Sequence, residues 1–296
     1  IWILGNIAPL REMAAAAEAE TAHLFSPPTA TRVRWNMFSD TPLPPEEPTG
    51  DNPPDGAIVD YFLKKSASKV ALEIFDSSGD LVRRFSSDDP PEMIDSTALP
   101  HPTAAPGQHR FVWDLRYPPP PGSRRQFSIA AVYKNTPSAP VGPFVPPGTY
   151  SVRLRVDSVT VERSLTVRLD PRVQISAADV QLQTDYSMRC YNGYLALQTI
   201  REAIDAALAG KLAQAKRTAV AQLRGEGAPG NPDILYGSIY QTPAEQETIT
   251  GLQHKFLYML NLLQGADARP TSQAMRAVEQ LEQTQQAVAQ RWQVLR

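Results

Sequence analysis

Proline limits this chain more than any other residue, because it has no backbone N–H, holds φ near about −65° and is excluded from helix interiors. Of the 28 prolines, 24 lie at or before Pro171 and four in the last 125 residues. The chain therefore changes class near residue 171, with extended and turn-rich structure before it and helical structure after it. A length of 296 residues is about twice that of a usual single domain and fits two separate cores.

Three stretches follow from this division. Residues 1–56 open on Ile1-Trp2-Ile3-Leu4, a strand-like run with no local partner. An Ala/Glu-rich segment from Glu12 to Ala22 predicts a short helix, and the Pro-rich stretch from Pro42 to Pro54 reads as an extended linker. The start at Ile1 rather than Met is expected of a piece of a longer polypeptide.

From residue 57 to 171 the apolar period is two. Val70, Leu72 and Ile74 alternate with Ala71 and Glu73, and Asp76-Ser77-Ser78-Gly79-Asp80 turns the chain into Leu81 to Phe85. Phe111, Trp113 and Leu115 alternate in the same way. Val152, Leu154 and Val156 lead through Asp157-Ser158 towards Leu165, Val167 and Leu169. Strands at this spacing without helices between them predict a β-sandwich of immunoglobulin or fibronectin III type, with Trp113 as a core anchor. Two long loops interrupt it, at about 86–106 and at 117–147.

Residues 172–296 take the period of a helix. Ser176 and Asp179 resemble a capping box, and Tyr186, Cys190, Gly193, Leu197, Ile200 and Ile204 form a four-three stripe, with Tyr191 and Tyr194 near its edge. A shorter helix is predicted over Lys211 to Arg224. Thr242, Pro243 and Glu245 signal the start of another, whose buried stripe is Ile249, Leu252, Phe256, Met259 and Leu263. The last helix carries Ala274, Val278, Leu281, Gln285, Val288, Trp292 and Leu295. Short turns between such helices predict an antiparallel helical bundle. The fold class is thus α+β in separate domains: an immunoglobulin/fibronectin III-like β-sandwich followed by an antiparallel helical bundle.

Charge bears on partners. With 29 Lys plus Arg against 31 Asp plus Glu, no net field favours nucleic acid or an anionic membrane. No apolar run is long enough to span a bilayer. The single cysteine, Cys190, excludes an internal disulfide framework and reads as an inert buried thiol.

Nothing in the residue pattern reads as a catalytic centre, a cofactor site or a metal site. The four histidines, His23, His101, His109 and His254, show no HExxH pair. No GxSxG elbow, GxxxxGKS/T loop or GxGxxG turn is present. Two carboxylate groups remain: Asp51, Asp55 and Asp60, and the loop set Asp88, Asp89, Glu92 and Asp95. A glycosidase needs two such groups about 5 to 10 Å apart, and calcium takes oxygen ligands from loops. The EF-hand spacing is missing, so the second set reads as a solvated acidic loop.

The loop from Tyr117 to Pro147 is the candidate interaction segment. It opens on four consecutive prolines, Pro118 to Pro121, which favour a stiff extension. It also carries more apolar side chains than a solvated connector needs, with Pro118, Phe127, Ile129, Tyr133 and Phe144 as the candidate contact residues.

The stretch Gly107-Gln108-His109-Arg110-Phe111-Val112-Trp113-Asp114, with Pro147-Gly148-Thr149-Tyr150, resembles the immunoglobulin-like domain of the flagellar hook-capping type. The wider set, Asn52-Pro53-Pro54-Asp55-Gly56-Ala57-Ile58-Val59-Asp60-Tyr61, Arg116-Tyr117-Pro118, Asp170-Pro171-Arg172 and Gly265-Ala266-Asp267, is similar to the C-terminal region of bacterial sortilin-type (VPS10-like) BNR-repeat β-propeller proteins, often labelled glycosyl hydrolases. The resemblance implies that Ile1-Trp2-Ile3-Leu4 closes an upstream propeller, although Gly5-Asn6 departs from the acidic pair that would follow there. It also implies export to the periplasm, the cell surface or the medium. Any active site would lie in the propeller.

The expected function is a non-catalytic structural or protein-interaction module, the C-terminal part of an exported propeller protein or a subunit of a larger assembly. Its partner would be a protein or the upstream propeller. The alternatives are an accessory region of a glycosidase-type enzyme and a carbohydrate-binding sandwich.

Overall fold

The computed structural model describes residues 6–34, 46, 48, 54–90, 93–94, 97–98, 101–123, 126–127, 138–225 and 247–296. In chain order its elements are the helical turns α1 (Ala8–Arg11) and α2 (Met13–Glu18), then β1 (Ala22–Leu24), β2 (Ala30–Arg32), β3 (Ala57–Leu63), β4 (Val70–Phe75), β5 (Leu81–Ser86), β6 (Met93–Ile94), β7 (Thr97–Ala98), β8 (Gly107–Trp113), β9 (Gln126–Phe127), β10 (Ser138–Ala139), β11 (Gly148–Val156) and β12 (Val159–Leu169). Four helices follow: α3 (Ala177–Ala209), α4 (Gln214–Arg224), α5 (Ile249–Leu263) and α6 (Ser272–Leu295). The class is α+β, and the chain divides into two units. The first holds the described residues up to Tyr117 together with Val145–Gln174; the second holds those of Pro118–Ser128 and Pro137–Phe144 with those of Ile175–Arg296.

In the first unit the period-two segments form a three-stranded sheet, β1-β3-β8, and a five-stranded one, β2-β12-β11-β4-β5, in a sandwich-like arrangement. All these pairings are antiparallel except that of β2 with β12. Turn chemistry sets the hairpin registers. Asp157 takes φ +50° between β11 and β12, and its Oδ1 accepts the amides of Ser68 and Lys69 at 3.0 and 2.9 Å. Between β4 and β5, Asp76 Oδ1 accepts from Ser78 and Asp80 at 2.9 and 3.0 Å, while Gly79 supplies φ +85°.

The inward side chains of the two sheets meet. Trp113 on β8 has no exposed surface, meets Tyr150 on β11 edge-on at 5.9 Å between ring centroids, and donates its indole N–H to the Arg116 carbonyl at 3.0 Å. Phe111 packs on Phe85 at 4.6 Å. Val70, Leu72, Val152, Leu154 and Leu165 are fully buried around them, each worth about 1.5–3 kcal/mol relative to exposure.

The stretch 1–56 is more than a strand remnant and linker. Its residues 22–24 pair with β3, and 30–32 pair with β12, so this stretch supplies one strand to each sheet. Alternation over three residues is too short to stand out in a sequence, and Arg32 is 1% exposed where a pattern reading expects an apolar residue. Its guanidinium is accommodated by donating Nη1–H to the Val145 carbonyl at 2.8 Å. The Ala/Glu-rich helix is also displaced, to Met13–Glu18, with Ala22 already in β1. Ile1 to Leu4 lie outside the described residues, as does Pro42 to Pro53 except for Glu46 and Pro48.

In the second unit α3 starts where the Ser176 hydroxyl accepts the Asp179 amide at 3.1 Å. Its buried positions are Val180, Gln183, Ser187, Cys190, Tyr194, Leu197, Arg201 and Ile204, with Tyr191 and Gly193 beside them. This seam is rotated from the predicted stripe: Tyr186 and Ile200 lie at its margin, and three polar residues take inward positions. Gln183 fits there because its Nε2 donates to the Leu263 carbonyl at 2.7 Å and to that of Ala266.

Helix α5 begins at Ile249, capped by Thr248, whose Oγ1 accepts the Gly251 amide at 3.0 Å. The Thr242 signal lies outside the described residues. Thr271 caps α6 in the same manner at 3.2 Å. Helix α3 packs against α4, α5 and α6.

Candidate functional site

The candidate interaction segment begins at Pro118. A run of prolines has carbonyl acceptors but no backbone donors, so it forms no ladder of its own, and its carbonyls must be satisfied by water or side chains. In this protein helix α3 supplies two of the donors, and Ser123 meets the Pro120 carbonyl with its amide at 3.4 Å and its hydroxyl at 2.5 Å. Tyr191 donates its hydroxyl to the Pro118 carbonyl at 3.0 Å, and Tyr194 donates to the Pro121 carbonyl at 2.7 Å. The tyrosines are three apart on the helix, hence on one face, and the chain that they meet turns at Pro121-Gly122. Pro118 and Pro121 are exposed, whereas Pro120 between them is buried.

Both tyrosines are buried, at 5% and 0% exposure. Burial raises the pKa of the Tyr194 hydroxyl, so it stays protonated and able to donate. After the prolines Gly122 takes φ +69°, and a β-carbon there would lie 2.8 Å from Gln198 Nε2. The positive φ favours glycine, while the close contact falls on the far end of a flexible side chain. Gln198 is itself held, accepting from Gln253 Nε2 at 3.0 Å and donating to Glu202 at 2.9 Å.

The segment's far limb is also fixed within the second unit. The Phe144 amide donates to Gln264 Oε1 at 3.0 Å, and Gln264 Nε2 donates to the Ser187 hydroxyl at 2.8 Å. Phe144 is 8% exposed. Between the limbs β9 and β10 pair, with Phe127 opposite Ser138. Ile129 and Tyr133 lie outside the described residues. Of the five candidate contact residues, Pro118 and Phe144 are thus placed on the helical unit of their own chain.

Sequence reasoning assigned Tyr191 and Tyr194 to the edge of a packing stripe and so missed them as donors. No local signal in the sequence pairs them with prolines 73 residues away.

The loop carboxylates have partners of their own. Lys69 pairs with Asp88 at 2.5 Å and holds its carboxyl below the usual range, with the Ser87 hydroxyl adding to the effect. Asp89 pairs with Arg84 at 3.2 Å. Glu92 and Asp95 lie outside the described residues. Asp60 is 3% exposed and receives Nε and Nη2 of Arg110 at 2.8 and 3.0 Å. His109 hydrogen-bonds the Ala105 carbonyl at 2.7 Å and leans on the Tyr61 ring, whereas His101 is exposed. Cys190 is fully buried, and burial pushes its thiol up to about 12. Among the described residues no three His, Cys, Asp or Glu side chains group as metal ligands, and no helix is long and apolar enough to cross a membrane.

No family model matches the chain, and no curated protein matches it. Among solved structures, CopC from Methylosinus trichosporium OB3b is a distant match at 14% identity, covering 41% of this chain and 84% of that chain with a TM-score of 0.22. A likeness at that score adds nothing to the reading of either unit.

Proposed function

We propose that this chain is a non-catalytic structural or protein-interaction module, built as an immunoglobulin/fibronectin III-like sandwich with an antiparallel helical bundle. We further propose that it is the C-terminal part of an exported β-propeller protein or a subunit of a larger assembly. The export and propeller elements rest on the sequence motifs described above.

The observation that carries the module reading is the Pro-rich segment held by Tyr191 and Tyr194. Aromatic side chains meeting a proline-rich segment are a recurring mode of peptide recognition, made here within one chain. The Lys69 pairing that lowers the Asp88 pKa also weighs against a general-acid role for that carboxylate, because a group held ionised by a cation makes a poor general acid.

The test is cross-linking mass spectrometry on the protein purified under mild conditions from its natural source. Cross-links from this chain to a second chain or to an upstream domain are expected. A free chain without such links that binds a glycan array, or that loses a hydrolase activity on Asp88→Asn or Asp89→Asn, would replace the proposal with one of its two rivals.

A further inference from the structure

The pairing of β2 with β12 differs from the other pairings of the two sheets. It is parallel, and it joins an early strand of the sandwich to the last one, with Thr31 and Arg168 137 residues apart in the chain. The register, in which the Asp170 amide donates to the Arg32 carbonyl at 3.2 Å, turns the N–H and C=O groups of Ala30 and Arg32 towards β12. Side chains lock this register. Arg168 Nε donates to Thr31 Oγ1 at 3.1 Å, and Arg32 Nη1 donates to the Val145 carbonyl at 2.8 Å, while the Val145 amide donates to the Leu115 carbonyl at 2.9 Å. Arg32 is 1% exposed on a strand of three residues. Burying a guanidinium is costly, which marks this edge as one held in place rather than left to fray.

Tension along the chain enters β2 at its N-terminal end and leaves β12 at its C-terminal end. In a parallel pair these are opposite ends, so the strands are drawn past each other and their bonds share the load. Two strands pulled apart from the same end instead lose their bonds one after another. We propose that the β2–β12 pairing is a mechanical clamp, which carries tension between the residues before β2 and the helical unit after β12 without letting the sandwich unravel. The inference rests on the reading of the chain as a structural module of a larger protein or assembly, and gives that module a load-bearing role.

The experiment stretches the full chain in an optical trap in two geometries. In the first the handles sit at Ser26→Cys, just before β2, and at the C-terminus. In the second they sit at Ser78→Cys, in the turn after β4, and at the C-terminus. Both chains carry Cys190→Ala, so that each has one cysteine, and the helical unit lies in series with the sandwich in both. Strand β4 runs parallel to β12 with β11 between them, so the second geometry draws two C-terminal strand ends apart and opens the ladders from one end.

Forced unfolding reads the unfolding barrier, and at one loading rate the sandwich is expected to hold to about twice the force or more in the first geometry. Ala30→Pro deletes a donor that faces β12 and should lower the force in the first geometry by a larger factor than in the second. Equal forces in the two geometries overturn the clamp, and so does an Ala30→Pro loss of equal factor in both, which would make β2 a stabilising edge only. Should Ala30→Pro not fold, the comparison of the two geometries decides by itself. Equal forces with the cross-links of the preceding test intact remove the clamp and leave the module reading standing. A higher force in the first geometry without cross-links does the reverse.

Discussion

The ring of Phe256 occupies the space that a β-carbon at Gly193 would need: such an atom would sit 2.6 Å from both Cε1 and Cζ. Gly193 and Phe256 lie on α3 and α5, and Phe256 is fully buried. The missing side chain is what lets these two helices approach.

Gly193→Ala tests that relationship because two effects oppose each other. Replacing a helical glycine by alanine gains at most ~1 kcal/mol of helix propensity, whereas forcing an extra carbon into a filled core costs about 1–3 kcal/mol. A net loss of stability in urea melts is expected, and Phe256→Leu in the same background should recover part of it. Stability at or above that of the unmodified chain would show that the ring moves aside freely.

Trp113→Ala should cost about 3–5 kcal/mol in chemical unfolding of the first unit, as for other large aromatic truncations. The indole is fully enclosed and its N–H satisfied by the Arg116 carbonyl. Trp113→Phe keeps much of the volume, loses the hydrogen bond, and should cost less. Equal costs for the two would mean that the lost hydrogen bond, rather than the lost volume, sets the damage.

Acid should weaken the Asp170-Pro171-Arg172 turn. The Arg172 side chain and backbone amide hold the Asp170 carboxylate at about 2, below its ordinary value of about 3.9. A depressed pKa in the folded state contributes stability that is whole above the unfolded value and is lost as pH falls through the folded one. Stability measured from pH 5 downwards should therefore fall between about pH 4 and 2. Asp170→Asn should flatten that part of the profile, and an unaltered slope would assign it to other carboxylates.

Cys190 should not react with a thiol reagent at pH 8 in the native protein, because its burial holds the thiol protonated, with a pKa of about 12. Full reaction is expected once denaturant exposes α3. Rapid native labelling would show that this part of the helix opens readily.

The elements legible in the sequence are those whose information is local. The Asp76–Asp80 turn, the Ser176 cap and the alternation of β11 and β12 all depend on residues within a few positions of one another. The strands β1 and β2 were not legible, because each is three residues long and gains its identity from partners far along the chain, Tyr61 to Leu63 and Val167 to Leu169. The phase of the α3 seam was hidden for a related reason. Gln183, Ser187 and Arg201 read as surface residues until their partners are known, and for Gln183 and Ser187 these lie at Leu263, Ala266 and Gln264.

By itself the sequence determined where the chain stops being strand and becomes helix, since proline's missing N–H and fixed φ act at every position regardless of context. It also determined the stiffness of Pro118–Pro121. Tertiary structure alone decided what those prolines touch, because satisfying an unpaired carbonyl requires a donor at hydrogen-bond distance, and the donors on Tyr191 and Tyr194 lie 73 residues away along the chain.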